Sequence, residues 1–330
     1  MQRMSASTAY PLFFSPVYKD YIWGGDRIPR LFDREPCSGI CAESWEVSDR
    51  EEGQSIVRNG PLAGRGLSEL VATDAEALLG RVNPGGGFPL LVKLIDARQR
   101  LSVQVHPDDE AAARYGGEAK TEMWYVLEAE ADACVFAGVR PGTTADDFRA
   151  ALEEERLEDV LNAVPVKPGM AVFMPGGRVH AIGEGCLLLE VQQNSNTTYR
   201  VYDWGRLGHD GKPRDLHIKQ AFEVIRWADE APLTVNAREL SCGAQGRRSE
   251  MLCCPYFRME KLELGGPQPV VNDGRSFHVL FAETGRATIR TANTVETLAH
   301  GACCLLPASL ENYTLTPEGG RAALVRISVP

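Results

Sequence analysis

For most of its length the chain alternates short apolar runs with turns, a texture that predicts antiparallel β structure. Between residues 10 and 60 the turns fall at Pro16, Gly24-Gly25, Pro29, Pro36, Gly39, Gly53 and Asn59-Gly60. Residues 42–48 alternate polar and bulky side chains as a strand does, with Trp45 as a core residue. Further strands are predicted at residues 89–97, 101–107, 120–127, 169–175 and 190–204. Successive side chains of a strand point to opposite faces, so Ser102, Gln104 and His106 share one face, and Leu101, Val103 and Val105 the other. Lys93 interrupts an otherwise apolar strand; a lysine in that setting ordinarily runs its stem along the apolar surface to reach water. Helical spacing occurs at Leu67–Leu79, with Asp74 as a cap inside it and Gly80 as its stop, and again at residues 144–152, 156–161 and 215–227. The two acidic segments in the middle predict a helical insertion at about residues 141–165 of a β framework. From about Pro232 the chain returns to short strands and turns.

That last part repeats the first. Residues 301–307, Gly-Ala-Cys-Cys-Leu-Leu-Pro, copy residues 169–175, Gly-Met-Ala-Val-Phe-Met-Pro, and residues 277–281 answer residues 123–127. The eleventh position after the glycine is His180 in one copy and Asn312 in the other, while Ser276 stands where the first copy has Glu122. Glu122 lies 47 residues before Gly169 and Ser276 lies 25 before Gly301, a difference close to the size of the helical insertion. The expected fold is mainly β, with two similar β-barrels. The first takes in residues 1–230 and the second residues 231–330.

Composition narrows the function classes. The 330 residues are 44% hydrophobic, as in an ordinary globular protein, and the net charge of −10 argues against nucleic acid as a partner. It also means that an anionic substrate needs a local basic pocket. No apolar run is long enough to span a bilayer, so no membrane partner is expected, and residues 1–10 lack the pattern of a signal peptide. The nine cysteines are scattered and odd in number, which speaks for reduced thiols in the cytoplasm rather than a disulfide framework. Cys37-x3-Cys41 has no second Cys/His pair at zinc-finger spacing.

Three polar groups in a row on a sheet face cost stability unless each is satisfied, and a bound metal is one arrangement that satisfies them. A solvated edge strand is the other. Residues 169–180 favour the metal, because an apolar strand there runs through a Pro-Gly turn to deliver His180 where a neighbouring strand can hold it opposite His106. The spacing Gly-x5-Pro-x-Gly-x2-His resembles the second motif of the cupin superfamily, small β-barrels with a metal among inward-facing strand residues. The first cupin motif reads His-x-His; here Gln104 replaces the first histidine and Glu122 follows late. That departure resembles the type I mannose-6-phosphate isomerases in particular, and so do Trp23-Gly24-Gly25, the Ala-Glu-x-Trp strand at residues 42–45, Lys120-x-Glu122-Met123 and the Glu-x4-Ser-Asn segment at residues 190–196.

The resemblance implies two cupin barrels, one Zn²⁺ held by His106, Glu122, His180 and Gln104, and the interconversion of mannose 6-phosphate and fructose 6-phosphate through an enediol. Two histidines and a carboxylate with a weak amide also suit zinc chemically. Arg200 matches the family's catalytic arginine. Lys120 and Glu190 match its remaining catalytic positions, with the identity of the base left open between them. Lys93 and Arg206 match basic positions, and with Ser102, on the face of Gln104 and His106, they form the expected phosphate-binding group. Two alternatives stand beside this reading: an iron-dependent cupin oxidoreductase, which ordinarily carries the His-x-His pair, and a sugar-phosphate-binding cupin without catalysis, which has no need of Arg200 or Lys120. A cupin acting on another aldose phosphate also fits.

Overall fold

The computed structural model describes residues 9–35, 39–82 and 86–330. Cys37, and with it the Cys37–Cys41 spacing, lies outside them. The protein is mainly β, and among the described residues two facing antiparallel sheets build the first half. A seven-stranded sheet runs from Thr234–Val235 through Ala171–Met174, Glu122–Ala129, Cys186–Gln193, Leu90–Ala97 and Glu43–Val47 to Val17–Lys19. Opposite it, a five-stranded sheet runs from Leu161–Pro165 through Cys134–Val139, His180–Ile182 and Val103–Val105 to Tyr199–Tyr202.

Both faces of the seven-stranded sheet are covered. Trp124, Val126, Ile95, Val172 and Leu188 pack towards the five-stranded sheet against Val135 and Ile182. Met123, Tyr125, Leu90, Val92, Leu94 and Val191 pack the other way, against Phe277, Val279, Met259 and Val325 of the second half. A strand buried on both sides reads as a continuous apolar run rather than an alternation, which accounts for residues 89–97 and 123–127. It also fixes Lys93: the surface route is closed, and the side chain shares the inward face with Ile95.

The second half is a ten-stranded sheet system, with Arg258–Leu264, Asn312–Ser328, His278–Arg290 and Cys303–Leu306 at its centre. Its repeat relation to the first half is visible in the pairing. Glu122–Ala129 lies between Ala171–Met174 and Cys186–Gln193, and His278–Arg290 lies between Cys303–Leu306 and Asn312–Ser328. Trp124 pairs with Val172, whereas its counterpart His278 pairs with Leu306 rather than Cys304. A slide of two residues keeps every side chain on its own face.

Strands cross residue 230 in both directions. Thr234–Val235 pairs with Ala171–Met174 of the first half, and Leu12–Ser15 from the N-terminal end enters the second half beside Cys303–Leu306. A polar link joins the halves as well: Tyr125 donates to Glu283 at 2.7 Å, and the Lys261 ammonium donates to both, at 2.8 and 2.9 Å.

The helix Leu67–Leu79 ends at Gly80 as the spacing predicts, and Asp74 breaks it with a φ of −141° instead of capping it. The predicted helical pair at residues 141–165 needs correction. Ala145–Glu153 is a helix, closed by a capping box between Thr144 and Asp147. The second helix is only a 3₁₀ turn, Leu157–Asp159, because Glu155 adopts a φ of 55° and few apolar side chains are available to bury a longer one. Residues Leu161–Pro165 then form a strand on Cys134–Val139. The last predicted helix is likewise shorter, Ile218–Val224.

Candidate metal centre and active-site cavity

The site is built where the two sheets of the first half face each other. The seven-stranded sheet supplies Glu122 from the start of Glu122–Ala129, and the five-stranded sheet supplies His180, paired with Gln104 on the neighbouring strand. The turn Pro175-Gly176-Gly177 delivers His180. A side chain on Gly176 would drive into the backbone of Asp108, at 2.6 Å, and Gly177 has a φ of +87°, so both positions require glycine. The Gly177 N–H donates to the His106 carbonyl at 2.7 Å, which ties this turn to the other histidine. Arg178, fully buried, braces it from behind by pairing with Asp229 and donating to the carbonyls of Phe173, Ala231 and Pro232.

His106, Glu122 and His180 are buried, and one ligand atom from each lies within 4.8 Å of the others. His180 Nε2 is 3.3 Å from Glu122 Oε1, and His106 Nε2 is 3.6 Å from Glu122 Oε2. Donors at zinc-ligand distance around a tetrahedral ion stand roughly 3.4 Å apart. Each histidine has its other nitrogen occupied, His106 Nδ1 by the Thr197 carbonyl and His180 Nδ1 by the Arg178 carbonyl, both at 2.8 Å. These bonds fix the tautomers and turn Nε2 of each ring toward the centre. Neither oxygen of Glu122 nor His180 Nε2 has a hydrogen-bond partner. Buried polar atoms left this way are costly, and an ion between them removes the cost. A cation already stands beside them: Lys120 Nζ is 3.2 Å from both Glu122 Oε2 and His106 Nε2. The set therefore fits a divalent metal.

The electrostatics agree. Burial, with Lys120 next, keeps His106 well below the ordinary histidine range, and burial takes His180 down to about 4. Both rings are neutral, as ligands must be. Burial, and then the nearby Glu190, push Glu122 up to about 7. Such crowding of carboxylates is what a bound cation relieves.

Above the triad lies a cavity of about 310 Å³, lined by Lys93, Ser102, Gln104, Lys120, Glu190 and Arg200 among others. Lys93 bridges two carboxylates, with Nζ 2.9 Å from Glu190 and 3.4 Å from Glu43. Each carboxylate is held by an indole N–H at 2.7 Å: Trp124 donates to Glu190 and Trp45 to Glu43. Burial alone would lower Lys93, but Glu190 and Glu43 hold it far above the usual lysine range. Burial would likewise raise Glu190, but Lys93 and Lys120 keep it below the usual carboxylate range. At the opposite wall Arg200 donates to Ser102 Oγ at 3.3 Å and to the Asp215 carbonyl at 2.8 Å. His217 pins the backbone of Arg200 from both sides, accepting from its N–H at 3.3 Å and donating to its carbonyl at 2.7 Å.

Nine of the ten site residues named from the sequence thus meet around one centre, and Arg206 does not. Its guanidinium turns to Asp203 and the Arg100 carbonyl, and it is not among the residues lining the cavity. Arg214, which shares Asp203, lines the cavity instead. Burial and then Arg214 lower Arg200 below the ordinary arginine range, so these two cations crowd one another. Sequence reasoning missed Arg214, Glu43, Arg178 and Thr197, all brought in from distant segments. The alternating Glu43-Ser44-Trp45 was the one available signal, since it places Glu43 and Trp45 on one strand face.

Two facing antiparallel sheets around a buried His-Glu-His set define a cupin-type protein with a site fit for a metal. Comparison with known proteins gives the family. The phosphomannose isomerase type I catalytic domain matches residues 12–140. Mannose-6-phosphate isomerase ManA of Bacillus subtilis (strain 168) is 37% identical over 93% of this chain and 96% of its own length. The mannose-6-phosphate isomerase of Streptococcus mutans is also 37% identical, over 92% and 95% respectively. The crystal structure of a mannose 6-phosphate isomerase from Bacillus subtilis superposes with a TM-score of 0.89 at 30% identity, covering 96% of this chain and 99% of that one. The chain belongs to the type I mannose-6-phosphate isomerase family.

Proposed function

We propose that the protein interconverts mannose 6-phosphate and fructose 6-phosphate, with Zn²⁺ held by His106, Glu122 and His180 and Gln104 as a weaker fourth ligand. The observation that carries this reading is the buried triad with its ligand atoms turned to one centre, beside a cavity lined by Lys120, Glu190 and Arg200. When bound, the ion supplies Lewis-acid polarisation of the carbonyl and hydroxyl oxygens on the two reacting carbons. The side chains do the rest. Glu190, ionised and held rigid by Lys93 and Trp124, takes the proton from one carbon and returns it to the next. Lys120 lines the same cavity and hands a proton to the sugar oxygen when the ring opens. Arg200 stabilises negative charge on the oxygen as the enediolate forms.

The phosphate is assigned to Ser102 and Arg214. Lys93, committed to two carboxylates, is a positioning residue in this scheme, and Arg206 supports the site only through Asp203. Residues 231–330 are assigned a metal-free second barrel and residues 1–230 the catalytic one. A cytoplasmic setting fits the free thiols of Cys134, Cys186, Cys303 and Cys304. Among the described residues no helix is long and apolar enough to cross a membrane.

A coupled isomerase assay on mannose 6-phosphate, run after chelation and re-addition of single metals alongside elemental analysis, tests the reading. Activity lost on chelation and restored best by zinc supports it. Full activity in metal-free protein, or no turnover in zinc-loaded protein, overturns it.

A further inference from the structure

The second half has a cavity of its own, about 710 Å³, that the isomerase reading does not use. It sits at the corresponding place in the repeat. His278, which lines it, answers Trp124 beside the metal centre, and Ser328, paired across the strands close to His278, stands where the first half has Glu190. The chemistry of this place has changed sign. Arg326 is almost fully buried, and its Nε donates to Glu260 Oε2 at 2.8 Å. Arg248 takes the other oxygen of the same carboxylate, with Nε at 2.8 Å and Nη2 at 2.6 Å. Two guanidiniums thus share one carboxylate, and Asp273 is the other acidic group on the lining, with Arg81 3.8 Å from it. Arg258 adds a third guanidinium to the wall, paired with Glu250 at 3.3 Å.

His278 completes the set. Its Nδ1 lies 2.8 Å from the Tyr313 hydroxyl. With the Tyr313 hydroxyl donating to Nδ1, the proton of the neutral ring sits on Nε2. Gln268 and Asn272 line the same cavity with amide groups suited to hydroxyls. A volume of this size accommodates a small metabolite with its ring.

We propose that the second barrel is a separate binding site for a small phosphate-bearing ligand, gripped by Arg248 and Arg326 with His278 as a neutral donor. A tetrahedral dianion matches paired guanidiniums better than a point charge does. Free phosphate and a phosphorylated polyol share that chemistry, and the amides favour the polyol.

Calorimetric titration of the zinc-loaded full chain with inorganic phosphate, and separately with glycerol 3-phosphate, tests this. Two sites per chain are expected, the second tighter by about tenfold for the polyol ester if the amides take part and equal for both probes if only the dianion is read. Arg248→Gln, at a half-exposed position that leaves Arg326 paired, should weaken the second site at least tenfold while kcat on mannose 6-phosphate stays unchanged. Glu260→Gln, which removes the competing carboxylate, should tighten it. A single site in the unaltered protein, or a second site indifferent to Arg248→Gln, overturns the proposal.

Discussion

The two halves of the molecule solve one problem in opposite ways. Each sets polar side chains on the inner face of facing antiparallel sheets, where an unpaired group costs about 1–3 kcal/mol. The second half pays internally: Glu260 is saturated by Arg248 and Arg326, and Ser276 is spent on the Phe277 carbonyl and the Val329 N–H, at 3.1 and 3.0 Å. In the first half Glu122, at the place of Ser276, has no hydrogen bond to either oxygen and only the Lys120 ammonium beside it, at 3.2 Å. The contrast separates a polar interior whose carboxylate is already paired with two guanidiniums from one whose carboxylate stands among ring nitrogens that fit a metal ion. Orphaned atoms clustered on one centre, more than the presence of histidine or glutamate, mark the half that fits a metal.

This comparison breaks most visibly if the metal is not where the orphaned atoms are. His180→Ala is expected to reduce bound zinc to under a tenth of a stoichiometric equivalent, by elemental analysis, and to abolish turnover. His278→Ala in the other half should leave metal content unchanged. Arg200→Ala comes next, with kcat lowered about a hundredfold and KM little altered, the size expected for losing one preorganised charge donor. A raised KM with intact kcat would make Arg200 a phosphate ligand instead.

Lys93→Met leaves Glu43 and Glu190 facing one another without their cation. Breaking a buried pair in this way costs about 3–5 kcal/mol, readable by denaturant unfolding, and kcat should fall because Glu190 is no longer positioned. An exposed lysine at that position would give neither effect. Rebuilding the second half by Ser276→Glu with Asn312→His should produce no metal binding, since Asn312 is exposed on a strand paired with Val271 and does not share a centre with Ser276. A second equivalent of zinc in that double variant would show that the ligand types alone suffice.

The smallest effect expected is on acid stability. Burial, and then Arg326 and Arg248, lower His278 from 6.5 to about 3, with Asp273 acting against them and Tyr313 bonded to the ring. A histidine depressed in the fold contributes stability that is whole above its unfolded value and is lost as pH falls toward the folded one. His278→Gln should therefore flatten the decline in melting temperature between about pH 6 and 4.

The placing of the candidate site was legible because strand alternation and the Pro-Gly turn are local and set Gln104, His106 and His180 near one another, while the full ligand set was only what the family resemblance implied. The repeat was legible for the same reason, although its two-residue slide in register was not. Arg206 was misplaced because Asp203, three residues earlier, captures it, and no local pattern distinguishes a captured arginine from an available one. Arg214 competes for the same carboxylate from beyond a turn and reaches the cavity. Glu43 and Arg178 matter through partners that are far away in sequence, Lys93 and Asp229. The second predicted helix failed where acidic periodicity outweighed the scarcity of apolar side chains to bury.

The strand Leu12–Ser15 is synthesised long before its partner Cys303–Leu306. At ordinary translation rates a separation on the order of 290 residues means roughly 15 to 60 s between the two. Throughout that interval Leu12, Phe13 and Phe14, all buried in the finished fold, have no sheet to enter on that side. Closing so long a loop is slow as well as late. The nascent chain therefore carries a sticky edge throughout the synthesis of the residues between, and a chain released before Cys303 keeps that edge permanently, as a target for proteases or a seed for aggregation.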